Sequence, residues 1–474
     1  MKDTRLEKDN QAKSPLWRGD LGVCFSKLSF QNTLKKLTST KTSILPLVTF
    51  RILFGILMAI STIRFWANGW IEDLYITPSF HFKFYGFHWI ENIGEPYIYF
   101  VFAFILLTSI LIVLGLFYRA AIITFFFLFT YVELIDATNY LNHYYFISLI
   151  AFLMIWLPAN QHFALDTYIF KKKASEVSAW TINILKLQIG ILYFYAGIAK
   201  LNSDWLFQAL PMKIWLPAHE NFPLLGHLFT QQWTAYAFSW AGAFFDITIF
   251  FFLISKKTRP WAYLAIVGFH LMTWLLFPIG MFPFFMIGLT LIFFSANFHK
   301  QLLSFFGLNK VLDEGNHQKE IFTKKTTKLT VILLSLWIGF HLLFPFRYVL
   351  YNNSLFWTEQ GYRFSWRVML MEKAGYATFY IKDSASDRVA IADNSRYLQP
   401  NQEKMMSTQP DFILQYAHLL AEDYTRQGFV APSVTAEIYV TLNGRPSQLF
   451  IDKDVNLAQI NDSFSSKNWI LPLK

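Results

Sequence analysis

The chain has 474 residues, of which 54% are hydrophobic, 19% aromatic and only 15% charged, a balance far more apolar than that of an average soluble protein. Its net charge of +10 is spread over loops and an N-terminal arm, which argues against a compact nucleic-acid-binding domain. The single cysteine, Cys24, excludes an intrachain disulfide and a Cys-based metal cluster.

Residues 1–43 carry nine Lys or Arg, with Leu21, Phe25, Leu28 and Leu34 loosely spaced as on an amphipathic helix. They read as a basic cytoplasmic arm lying on the anionic inner leaflet, with no cleavable signal ahead of the first span. The region 44–350 follows as a transmembrane helical domain. Its apolar blocks predict nine spans, at about 44–66, 97–118, 120–137, 145–158, 180–199, 236–255, 261–277, 281–296 and 328–348.

Loop charges test this count, because cytoplasmic loops are enriched in Lys and Arg. The arm, Arg119, Lys171 to Lys173, Lys256 with Lys257 and Arg259, and the stretch holding Lys300, Lys310, Lys319, Lys324 and Lys325 fall on alternate loops. The other connections hold only Lys83, Lys200 and Lys213. The N-terminus is therefore expected inside and the C-terminus outside, leaving four outer connections at 67–96, 138–144, 200–233 and 278–280.

From residue 351 the composition turns mixed polar. Strand-like alternation at 376–381 and 436–442, an Asn443-Gly444 hairpin signal and a returning strand at 448–451 surround one helical stretch at 411–427. The fold class is thus an α-helical polytopic membrane protein, of about nine transmembrane helices, with a C-terminal mostly-β extracytoplasmic domain over 351–474.

The stretch ILYFYAGIAKLNSDW (191–205) places Lys200 at the mouth of the fifth span. A long cation there commonly snorkels to the interface, which needs no chemistry. His143 follows Asn142 on the outer face, and His270 lies inside the seventh span, where a polar side chain must find a partner. A hydrogen-bonded structural imidazole explains either histidine equally well at this level. Asp246 and Arg51 lie within the sixth and first spans, where an unpaired charge costs on the order of 2.5–3.5 kcal/mol, so pairing is expected. Glu133 and Asp136 stand where they could orient His143 or Lys200.

The sequence holds no HExxH, no GxSxG elbow and no phosphate-cradling Gly loop, and no tightly bound metal is expected. Acid–base chemistry at the outer membrane face remains. A lysine serves as a base only when desolvated. Tyr193, Phe194, Tyr195 and Trp205 could wall such a site, with Tyr193, Tyr195 and Trp205 as candidate contacts for a hydrophobic quinol arriving through the bilayer.

LPLVTFRILFG (45–55), FWANGWIEDLYITPSFHFKFYGFHW (65–89), LNHYY (141–145), YFYAGIAKLNSDW (193–205), FHLMTWLLFPIGMFPFFM (269–286), GYRFSWRVML (361–370) and LNGRPSQLFIDKDV (442–455) run in order along the chain. In these motifs the sequence resembles the vitamin K-dependent γ-carboxylases and their bacterial relatives, the HTTM (horizontally transferred transmembrane) group. The resemblance implies that Lys200 is the base that deprotonates vitamin K hydroquinone, or menaquinol, for reaction with O2. The oxidation then supplies the base strength to remove a γ-proton from a protein glutamate, which captures CO2 as vitamin K epoxide leaves. Asn142 and His143 match the family's active-site pair, and His270 matches a further functional histidine.

Implied partners are the lipid bilayer, the quinol and a Glu-containing extracytoplasmic polypeptide, with no nucleic acid, and the implied location is a bacterial inner membrane. Residues 369–380 lack the histidine that the animal enzymes carry there, which leaves the coupling of epoxidation to carboxylation open. Two rivals stand beside this reading. One is a quinol epoxidase or oxidase without glutamate carboxylation, and the other a non-catalytic membrane scaffold or transporter.

Overall fold

The computed structural model describes residues 40–307, 324–351 and 354–474. The predicted basic arm therefore lies outside the described residues except for its last few. These form strand β1 (Lys41–Ser43), antiparallel to β2 (Glu176–Ser178), so the chain entering the first long helix is tied to the chain entering the fifth.

Among the described residues, ten helices of nine or more residues build the first unit: α1 (Leu45–Ala67), α2 (Tyr97–Leu114), α3 (Tyr118–Ile135), α4 (Asn142–Trp156), α5 (Trp180–Ala199), α6 (Gln232–Ile254), α7 (Arg259–Leu276), α8 (Phe282–Thr290), α9 (Ala296–Phe305) and α10 (Lys324–Leu343). Among the described residues, six segments are long and apolar enough to cross a membrane: α1, α2, α3, α5, α6 and Leu329–Leu350, which joins α10 to the tight turns after it. Helix α4 and the segment Phe282–Phe293 are apolar but shorter, and α7 opens on Arg259-Pro260 and carries His270. Six of the nine predicted spans thus meet the requirement of length and apolarity.

The outer faces of these helices are apolar where a soluble protein would be polar. Phe100, Phe104, Leu107, Ile110 and Leu114 recur every three or four residues on α2 and are all exposed, as are Trp240, Phe244 and Phe251 on α6. Inside, Phe50, Phe54, Met58, Thr62 and Phe65 form the buried stripe of α1. Lipid is as apolar as leucine, so packing rather than transfer from water holds such helices together. Close approach then matters. A Cβ on Gly197 of α5 would lie 2.5 Å from Ile247 Cγ1 and 2.7 Å from the Ile247 amide nitrogen, so only glycine lets α5 lie this near α6.

Arg51 is fully buried, and no carboxylate pairs with it among the described residues. Its guanidinium donates instead to the carbonyls of Ala159 (2.9 Å), Val113 and Phe163, at the turns that join α2 to α3 and follow α4. The expected ion pair is replaced by carbonyl groups left free where helices end.

The C-terminal unit is a four-stranded antiparallel sheet of order β4-β3-β5-β6, with β3 (Lys373–Lys382), β4 (Val389–Ile391), β5 (Ser433–Leu442) and β6 (Gln448–Leu449). Val434, Ala436, Ile438, Val440 and Leu442 point to its core face in strict alternation. Helices α11 (Pro400–Met406) and α12 (Pro410–Arg426) cover that face, α12 burying Phe412, Ile413, Tyr416, Ala417 and Leu420. The predicted strands, the helix at 411–427 and the Asn443-Gly444 turn are present, both turn residues having the positive φ such a hairpin requires (52° and 74°). The expectation of a mostly-β domain is corrected: helices contribute as much as strands, and the unit is α+β.

The chain boundary near residue 350 does not divide the cores. Phe82 and Phe84, from the aromatic connection after α1, are buried in the C-terminal core, with Phe82 4.8 Å from the Phe412 ring. Lys83 exchanges two hydrogen bonds with the Gln415 side chain. Gln402 of α11 donates to the Phe80 carbonyl and to Asp136.

Candidate active site

Between the helical unit and the C-terminal unit lies a cavity of about 1100 Å³. Residues from all four predicted outer connections line it, including Trp70, Leu141, Lys200 and Gly280. Lys200, Asn142, His143 and His270 all reach it, so four side chains scattered over 129 positions of sequence converge on one space.

The segment KLNSDW shows why each of its polar residues is there. Helix α5 ends at Ala199, and Asn202 turns the chain: its Oδ1 accepts from the Trp205 amide (3.0 Å) and its Nδ2 donates to the Ala199 carbonyl (3.0 Å). This cap sends Trp205 inward, where its Nε1 donates to the Ser239 carbonyl of α6 (2.6 Å). Asp204 faces the C-terminal unit and accepts from both guanidinium nitrogens of Arg445 (2.8 and 2.6 Å) and from Asn443 (2.8 Å). The Arg445 guanidinium holds the Asp204 carboxyl below its ordinary range, and the pair latches the hairpin 442–448 onto the membrane unit.

Lys200 does not snorkel. It is 7% exposed, and its ammonium donates to Asp246 Oδ2 (2.7 Å) and to the Ala196 carbonyl (3.3 Å), with the Trp205 ring 5.4 Å away. The close α5–α6 contact at Gly197 brings these partners together. One turn before Asp246, Gly242 leaves open the space beside the lysine stem, its Cβ position being 3.9 Å from Lys200 Cε. The intramembrane carboxylate therefore finds its partner in the lysine, where the sequence named Asp246 and Lys200 separately. An ammonium has three N–H donors, and two are used.

His270 Nε2 lies 2.9 Å from the Tyr193 hydroxyl, while its Nδ1 is buried with no partner among the described residues. The His143 ring stacks on Phe282 (centroids 5.6 Å apart). Asn142 is fixed twice, its Oδ1 accepting from the Tyr140 hydroxyl (3.0 Å) and its Nδ2 donating to the Arg367 carbonyl (2.9 Å). The remaining wall is apolar, with Phe269, Met272, Trp274 and Leu276 of α7 and Met281 and Phe285 beyond it.

Three expectations are corrected. Tyr195 is not among the lining residues: its hydroxyl donates to the Leu342 carbonyl and its ring packs on Phe346, whereas Tyr193 and Trp205 do line the cavity. Glu133 accepts from Ser148 (2.7 Å) and orients neither His143 nor Lys200. Asp136 accepts from Thr138, Gln402 and His81, and so fastens the two units together instead.

The C-terminal side of the cavity was not foreseen as part of the site. Tyr362, Arg363, Arg367, Met369, Glu372 and Lys373 form it, on and just after the GYRFSW motif. Four non-glycine residues there, Glu359, Phe364, Trp366 and Met369, hold left-handed φ between 51° and 61°. Such conformations persist where surroundings over-determine them. Here Trp366 is buried against Tyr145, and the Phe364 amide donates to Tyr140. Lys373 is largely enclosed, donating to Glu359 (2.9 Å) and to the Trp357 and Thr408 carbonyls, and burial pulls its ammonium below the usual lysine range against the pull of Glu359. The signal that could have found this wall was the density of cations around the motif.

Two family models match. The HTTM domain covers residues 40–298, and the vitamin K-dependent gamma-carboxylase lumenal domain covers residues 326–474. No solved structure matches the chain.

Proposed function

The chain belongs to the vitamin K-dependent gamma-carboxylase family, and from that premise we propose that it is a quinol-dependent γ-glutamyl carboxylase of a bacterial inner membrane. It is a membrane protein with an extracytoplasmic C-terminal region. On this reading all nine helical segments cross or enter the bilayer, with the N-terminus cytoplasmic, as the alternation of loop charge requires. The observation that carries the proposal is the cavity itself: Lys200, Asn142, His143 and His270 line one space that is apolar on the membrane side and charged on the other.

The residues present fit a hydroquinone headgroup. The cavity volume lies just above the usual range for small-molecule sites, which leaves room for a second ligand. The unpartnered Nδ1 of His270 is the kind of buried polar atom that a ligand hydroxyl satisfies. When bound, the hydroquinone supplies, with O2, the base strength that removal of a glutamate γ-proton demands and no side chain possesses.

Lys200 in its neutral form would accept the proton at Nζ, and Asp246 Oδ2, 2.7 Å away, would hold the ammonium that results. Trp205 and the Ala196 carbonyl hold the amine in place. Tyr193 sets the orientation of the His270 ring. Asn142, fixed by Tyr140 and Arg367, presents a rigid amide edge. The apolar wall excludes water from these groups. CO2 is the co-substrate, and a Glu-containing extracytoplasmic polypeptide the acceptor.

The test uses purified protein with reduced vitamin K, O2, a Glu-containing peptide and labelled bicarbonate. The expected result is quinone epoxide together with label in the peptide, both lost in Lys200→Ala. Epoxide without label would replace this proposal by a quinol epoxidase, and neither product would leave a non-catalytic scaffold.

A further inference from the structure

Among the described residues, the enclosed cations that line the cavity are each paired with an acid, with one exception. Lys200 pairs with Asp246, Arg363 with Asp411, and Lys373 with Glu359, the last at 2.9 Å with both side chains largely enclosed. Arg367 is 7% exposed and lines the same cavity, yet no carboxylate pairs with it among the described residues. Its Nε is buried with no partner, and its guanidinium carbon lies over the Tyr348 ring at 4.4 Å.

The two acids on this wall are already engaged. Glu359 is held by Lys373, and Glu372 accepts from Trp215 Nε1 (2.6 Å). A buried cation without a counter-charge is costly to keep, and its rigid fork of donors suits a carboxylate. The contact with the Tyr348 ring holds the guanidinium in place, and the Arg367 carbonyl is tied to Asn142. The backbone on either side is also fixed, Trp366 and Met369 having left-handed φ of 61° and 51°.

Resting on the carboxylase reading above, we infer that Arg367 is the seat of the substrate's carboxylate: it takes the acidic side chain of a polypeptide entering from the C-terminal unit, opposite the apolar wall. The cavity is then divided by chemistry, with the neutral aromatic ligand against α7 and the anionic ligand under Arg367. Arg367 is in this sense a specificity-determining residue that selects Glu over Gln.

The test reads binding rather than turnover. Full-length protein in nanodiscs is titrated with a fluorescent Glu-containing peptide and with its Glu→Gln counterpart, without quinol. Wild type is expected to prefer the Glu peptide by on the order of tenfold or more, the usual reach of a charge-assisted hydrogen bond pair. Arg367→Met is expected to remove that preference while Gln-peptide binding stays unchanged, and Arg367→Lys to restore part of it.

A second measurement needs no variant: phenylglyoxal modification of Arg367, located by mass spectrometry, should slow in the presence of the Glu peptide and not the Gln peptide. A wild-type protein that binds both peptides equally, an Arg367→Met protein that retains the preference, or modification that the Glu peptide does not slow would each overturn the inference. Incorporation of labelled bicarbonate into the Glu peptide with reduced quinol added, assayed on the same wild-type preparation, separates this failure from failure of the carboxylase reading.

Discussion

The Lys200–Asp246 pair makes the sharpest claim about stability, because both partners are buried and 2.7 Å apart. At an effective dielectric of about 20, unit charges at that separation attract by roughly 6 kcal/mol, against a desolvation cost of several kcal/mol per ion. The net value of the pair is therefore small, but breaking it is expensive. Lys200→Met strands a carboxylate and Asp246→Asn strands an ammonium, and each should cost about 3–5 kcal/mol. The double substitution strands no charge.

A double-mutant cycle, with unfolding free energies measured in mixed detergent–SDS micelles, is the assay. The double variant should recover about 3 kcal/mol of the summed single losses, on the order of 100-fold in the unfolding equilibrium. Single losses that add in the double variant within about 0.5 kcal/mol would show that the two groups do not feel each other, and the role of Asp246 in holding the lysine would go with them.

Other consequences are measurable with less effort. Gly197→Ala puts a methyl group 2.5 Å from Ile247 Cγ1, so α5 must move off α6; we expect a loss of about 1–3 kcal/mol and reduced quinol turnover, even though residue 197 touches no ligand. Tyr193→Phe leaves His270 with both ring nitrogens unpartnered, and should cost about 1–3 kcal/mol in unfolding free energy.

Asp204→Asn removes the charged half of the Arg445 latch. Because the folded Asp204 carboxyl lies below its unfolded range, the latch contributes fully above that range and is lost as pH falls through the depressed folded value. The stability gap between wild type and Asp204→Asn should therefore be full at neutral pH and close in acid, as followed by thermal unfolding at stepped pH.

Local patterns announced much of the molecule. The apolar blocks located the helices, two-residue alternation located β3 and β5, and the Asn443-Gly444 pair located the turn from β5 to β6. The motif KLNSDW marked the place where an apolar helix ends in a run of polar residues, and that place lies on the cavity.

What stayed hidden is contact between residues far apart in the chain. Nothing in residues 200–205 says that Asp204 will meet Arg445, or that the lysine's counter-charge lies 46 positions away on α6. Arg51 misled for a related reason: pairing with an acid is the usual solution for a buried guanidinium, but free carbonyls at helix ends serve as well. Six of the nine predicted spans are long and apolar enough to cross in the structure, because an apolar block in the sequence does not fix where its helix begins and ends.

The burial of Phe82 and Phe84 in the C-terminal core has a consequence for how the protein is made. Synthesis proceeds from the N-terminus, so the aromatic run 80–89 emerges about 350 residues before the strand β5 and the hairpin that complete its surroundings. Until then, several aromatic rings wait at the membrane surface without a cover. The nascent chain thus holds an unpaired sticky segment for most of its translation, and a product cut short before α12 would keep it for good. Quality control of this protein has a ready target in that loop, and its disappearance from solvent marks the moment when the site between the two units is closed.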